Sequence, residues 1–223
     1  GKSTVMADGR LAGTVEIQGT GYPDTRMRRV LAYSQAGEGE SVFTRFLSAI
    51  SPFIHVSGFE ATDHANLDEP LVVRMEYADV RYAAADAGRI SFVIPLAHFI
   101  LGQERWSPYY MLGSWKERKN PAMLWFPQKV VVSETVKIPK GMSATDLPEP
   151  AQADGKWTSW GFSAEQKAAT IVWRASWQVK TRLATAETFD ELEELRTKIA
   201  EYGEMEVVLE GKKPKAKAKE VQP

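Results

Sequence analysis

Between Lys167 and Arg182 the chain alternates with a period of two. Ala169, Ile171, Trp173, Ala175, Trp177 and Val179 share one parity, and Thr170, Arg174, Ser176, Gln178, Lys180 and Arg182 share the other, with Val172 the only apolar intruder. Successive strand side chains point to opposite faces, so this pattern predicts a long strand with one buried and one wet face. A half-buried face implies an antiparallel sheet packed on one side. Two indoles on that face need a second apolar layer to cover them, which makes a β-sandwich the expected architecture.

Apolar residues make up 43% of the 223, with seven tryptophans, ample for a core. A formal net charge of −1 gives no global attraction to nucleic acid or anionic membrane. The longest apolar candidate, Phe92 to Leu101, is interrupted by Pro95 and His98 and falls far short of the ~20 residues of a spanning helix. The absence of cysteine excludes disulfides, thiolate nucleophiles and Cys-ligated metals. The opening Gly1-Lys2-Ser3 carries no initiator methionine or secretory signal and reads as an excised fragment, with Gly1 a tag remnant.

In chain order, residues 4 to 20 read as two strands around an Asp8-Gly9 turn. A helix is expected from Pro23 to Gln35, with Met27, Val30 and Leu31 on one face. A second is expected from Glu40 to Ile50, ended by Pro52. Together they look like an insertion or a helical cover on the sheet. Strands follow at Phe53 to Thr62, Leu71 to Val80 and Arg89 to Leu96, the last after a loop from Ala83 to Gly88. The segment Phe99 to Lys119 shows no period and reads as an irregular excursion. Pro121 to Ile138 is extended, with Val130, Val132, Val136 and Ile138 on one parity and Glu134 interrupting them. After the turn Pro139-Lys140-Gly141 come a strand from Lys156 to Phe162 and a polar turn from Ala164 to Lys167. Thr188 to Tyr202 is expected to be a helix. It has a Thr188/Glu191 capping box, a stripe of Phe189, Leu192, Leu195, Ile199 and Tyr202, and Gly203 just past its end. Met205 to Leu209 closes the fold. From Gly211 onward, five lysines mixed with Pro and Ala predict a disordered tail over 211–223. The expectation is one domain over 1–210, with a sub-boundary near 83–120.

Candidate chemistry is sparse. There is no G-x-S-x-G elbow, and His55, His64 and His98 belong to no paired motif, so a serine triad has no sequence support. Asp63, His64, Asp68 and Glu69 crowd one loop, but their spacing matches neither an EF-hand nor H-E-x-x-H, and a solvated acidic loop is the simpler account. Catalytic, cofactor and metal residues are therefore assigned as none. Tryptophans spaced along a sheet face can stack on sugar rings, but Trp173 and Trp177 share the parity of Ile171 and Val179 and belong in the core. Trp106, Tyr109, Tyr110 and Trp115 remain as the candidate ligand-binding aromatics. The basic run Lys212 to Lys219 is read as a solvated terminus.

The order of several short motifs resembles the β-rich region that follows the catalytic core in bacterial transglutaminase-like proteins. They are Gly21-Tyr22-Pro23-Asp24-Thr25-Arg26, two helices, the Pro52 to Thr62 strand, and Glu69-Pro70-Leu71-Val72-Val73-Arg74-Met75-Glu76-Tyr77. Arg118-Lys119-Asn120-Pro121, Ile138-Pro139-Lys140-Gly141 and Leu147-Pro148 follow, then the final strand, helix and strand. In that family the catalytic Cys, His and Asp lie upstream, and no position here matches them. The resemblance implies a non-catalytic accessory domain, periplasmic or cell-envelope associated. Its partner would be a transglutaminase-like catalytic domain upstream in the same polypeptide, with a glycan or protein substrate and no nucleic acid, transmembrane segment or cofactor. The fold expected is mainly β, an antiparallel, jelly-roll-like sandwich with two inserted helices near the N-terminus and one C-terminal helix. The alternative function is a free-standing glycan-binding sandwich using exposed tryptophans.

Overall fold

The structure is a computed structural model and describes residues 1–34, 38–48, 50–101, 120–124 and 128–211. Its organising strand, β12 (Thr170–Val179), lies where the alternation places it, with Ile171, Trp173, Ala175, Trp177 and Val179 all at most 4% exposed. It pairs antiparallel along its whole length with β8 (Gln128–Lys137) on one side and β11 (Thr158–Lys167) on the other. Strands β10 (Ala151–Asp154), β1 (Lys2–Val5), β2 (Leu11–Gln18), β4 (Val72–Asp79) and β3 (Ile54–Ala61) complete an eight-stranded sheet, in the order β10-β11-β12-β8-β1-β2-β4-β3. Every pairing in it is antiparallel except β1 with β8.

The smaller sheet is antiparallel too, in the order β5-β6-β14-β9. It comprises β5 (Ala84–Asp86), β6 (Arg89–Val93), β14 (Glu206–Gly211) and β9 (Met142–Asp146). A two-stranded ladder joins β7 (Ala122–Met123) to β13 (Leu183–Ala184). Helices α1 (Tyr22–Tyr33), α2 (Glu38–Leu47), α3 (Pro95–Ile100) and α4 (Ala186–Gly203) complete the fold. Inner faces of both sheets supply one core, and α4 lies on β11 with Leu192 and Leu195 fully buried. This is the expected β-sandwich, with the inserted helix pair and the C-terminal helix in place.

Several local expectations are corrected. The run from Arg89 stops as a strand at Val93, because Pro95 is pre-shaped for the first turn of a helix and α3 begins there. Part of the Ala83–Gly88 loop is itself strand β5, which makes a hairpin with β6. Residues 164–167 are not a turn. β11 continues through Lys167, and the reversal is the pair Ala168-Ala169, with Ala168 at φ 54°. No Gly, Asn or Asp marks that turn, so the usual signal is missing. The α4 capping box is made by Thr185 and Thr188, one turn earlier than expected, and Gly203 ends the helix at Glu204 without a left-handed cap. Along β3 the parity changes at a bulge between Val56 and Gly58, which leaves Phe53 56% exposed while Phe59 packs inward. Gly211 belongs to β14, its N–H bonded to the Gly88 carbonyl at 3.0 Å. The rest of the expected tail, 212–223, lies outside the described residues.

Candidate functional site

Glu134, read above as an interruption in β8, keeps the inward parity and is 1% exposed. Its Oε1 accepts a hydrogen bond from the Ser3 hydroxyl at 2.7 Å, and its Oε2 accepts one from the Leu96 N–H at 2.8 Å. Leu96 sits in the first turn of α3, whose N-cap Ile94 offers no side-chain acceptor, so the carboxylate takes over that role from another strand. Burial pushes the Glu134 carboxyl above its ordinary pKa, and the two hydrogen bonds offset part of that shift. Nearby, burial and the Glu134 charge hold the phenols of Tyr77 and Tyr82 un-ionised far above their usual range. The Tyr82 hydroxyl donates to the Val93 carbonyl, while among the described residues the buried Tyr77 hydroxyl and Asp79 Oδ2 have no hydrogen-bond partner.

A second cluster surrounds Arg28 on α1. Its Nε donates to Asp24 Oδ2 at 2.7 Å. Its Nη1 donates to the carbonyls of His64 and Asn66 at 3.1 and 2.6 Å, and its Nη2 to that of Glu69 at 2.5 Å. Asp24 Oδ1 in turn accepts the Leu71 N–H. The Arg28 hydrogen bond is the largest influence holding the Asp24 carboxyl below its ordinary pKa. The acidic loop considered above as a metal site therefore already encloses a cation, because its converging carbonyls bind a guanidinium. No group of three or more potential metal ligands occurs among the described residues.

Glu191 on α4 is the third cluster. It accepts the N–H groups of Lys156, Trp157 and Thr158 at 2.8–3.2 Å, clamping the helix to the start of β11. Burial raises its pKa, but these bonds outweigh that and the net shift is downward. Among the described residues, none of the histidine side chains hydrogen-bonds a serine or a carboxylate, and His98 Nδ1 is buried without a partner.

The outer face of the large sheet carries an open groove of about 640 Å³ whose rim includes Lys2, Thr14, Glu76, Lys137 and Thr170. Its one aromatic lining residue, Tyr77, is 2% exposed, so the groove offers no ring on which a sugar could stack. Trp160, Trp173 and Trp177 face the core, and Trp157 is half-buried with the Lys156 ammonium 4.3 Å from its ring centroid. The candidate aromatics Trp106, Tyr109, Tyr110 and Trp115 lie outside the described residues. Sequence reasoning missed Glu134, Arg28 and Glu191 as organising groups. A signal existed for Glu134, since a carboxylate on an apolar parity must find donors inside the core.

A family model described as a domain of unknown function with solved structure, DUF3858, matches residues 93–209, just over half of the chain. The match runs from the end of β6 to β14 and leaves β1 to β5 and the first two helices outside it. No curated protein and no solved structure gives a significant match.

Proposed function

The chain belongs to the DUF3858 family through residues 93–209, and we propose that it works as a non-catalytic accessory module. Its partner is a transglutaminase-like catalytic domain in the same polypeptide, which it positions relative to a substrate at the cell envelope. The observation that carries this reading is how the polar clusters are used. Glu134 has both oxygens engaged and is shut off from solvent, Glu191 caps three backbone N–H groups, and Arg28 is enclosed by a loop. A general acid or base must be within reach of substrate, and these groups are committed to joining elements of the fold. The partner and the location rest on the motif resemblance described above.

The glycan-binding alternative needs indoles at the surface; Trp160, Trp173 and Trp177 are buried and do not serve it, and its candidates Trp106 and Trp115 lie outside the described residues. Assays of the isolated chain for transamidase, protease and esterase activity are expected to show no turnover. Joining it to the catalytic domain is expected to change that domain's KM for a protein substrate. Turnover by the isolated chain that a single point substitution abolishes would overturn the reading.

A further inference from the structure

The large sheet is continuous because of four residues. β1 lies between β8, to which it is parallel, and β2, to which it is antiparallel; without it those two strands have no common neighbour. β8 belongs to the family-matched region and β1 does not. We infer that β1 occupies a strand-binding slot built from the edges of β8 and β2 and the Glu134 carboxylate. The slot accepts an extended peptide segment bearing a small hydroxyl residue and, two positions later, a β-branched apolar residue. This inference is independent of the accessory role proposed above.

The slot is specific on its inner side. One Glu134 oxygen is satisfied by Leu96 from the body of the fold, and the other takes its hydrogen bond from Ser3 of the inserted strand. A segment without a donor there leaves a buried carboxylate oxygen unsatisfied. Val5, two residues on and therefore on the same face, is 1% exposed in the core. Opposite Ser3 stands Gly13, where an added Cβ would come within 2.8 Å of the Lys2 carbonyl oxygen and 2.7 Å of the Tyr77 hydroxyl, so the strand can approach only because that position is glycine. On the outer side the slot reads little, as Lys2 is exposed and Thr4 half-buried. Backbone pairing supplies affinity and alternate side chains supply selectivity, the logic of strand addition. In this chain the segment arrives through a tight turn closed by Met6 N–H to the Arg10 carbonyl, with Ala7 and Asp8 exposed.

The test uses the full chain with a protease site inserted between Ala7 and Asp8. After cleavage, a labelled synthetic peptide of residues 1–7 is titrated against the folded, nicked protein. It is expected to exchange with the resident fragment. The Ser3→Ala peptide should bind about tenfold more weakly or worse, consistent with a lost hydrogen bond to a charged buried group, and a Val5→Asp peptide should not bind. Failure of the parent peptide to enter, or equal binding of all three, overturns the inference. Should cleavage unfold the chain, hydrogen exchange on uncut Ser3→Ala protein decides the matter. Faster exchange confined to β1 and its neighbours in β2 and β8 supports a discrete slot; acceleration spread equally through β11 and β12, or no acceleration at all, overturns it.

Discussion

Replacing Arg28 by alanine should release the loop from Asp63 to Pro70. The Arg28 side chain is 9% exposed and its partner Asp24 20%. Four contacts with Asp24, His64, Asn66 and Glu69 lie within 3.1 Å. At about 1.5–3 kcal/mol for each hydrogen bond to a charged group, simple addition gives roughly 6–12 kcal/mol. That sum overstates the loss, because most residues of the loop are exposed and its freed carbonyls regain water. The residual cost is that of breaking a largely buried ion pair, about 3–5 kcal/mol, with the lower end expected here. Arg28→Lys keeps a charge for Asp24 but lacks the planar fork that spans the carbonyls, so it should recover less than half of the loss. Urea unfolding gives the stabilities, and hydrogen exchange over residues 62–71 reports the loop itself. A loss below about 1 kcal/mol for Arg28→Ala, or unchanged loop exchange, would refute the view that the guanidinium organises this segment.

Trp173→Ala should cost about 3–5 kcal/mol by opening a core cavity. Arg174→Ala, which removes only an exposed bridge to Glu165, should stay within about 1 kcal/mol; a reversed order in urea unfolding would mean the sheet faces are misassigned. Glu134→Gln tests the buried carboxyl through pH. Its folded pKa is raised, so the group is fully compatible with folding below its unfolded pKa of about 4.3. As pH rises from there towards the folded pKa, stability falls by up to ~1.4 kcal/mol per unit. Glutamine does not titrate, so the variant should gain on the parent as pH rises above the unfolded value; a stability difference independent of pH would contradict this.

Local pattern by itself determined a good deal of this protein. The alternation from Ala169 to Val179 fixed which face of β12 is buried, because strand geometry leaves a side chain only two directions. The stripe from Phe189 to Tyr202 and the apolar face of α1 were legible for the same reason, since a period is a property of neighbours in sequence. Boundaries failed where the deciding partner was remote or the turn lacked its usual residues. Ala168-Ala169 reverses the chain without glycine, and Ser57 shifts β3 by a bulge that depends on its pairing with β4. Tertiary structure alone decided the roles of the charged groups. Glu134 looked like a flaw in a strand until Ser3 and Leu96, 131 and 38 residues away, arrived as donors. Arg28 acquires its partners only where a loop 35 to 41 residues on closes around it. Insertion of β1 in parallel beside β8 is the furthest from anything local, because a parallel pairing needs no turn between the strands and so leaves no signature in either one.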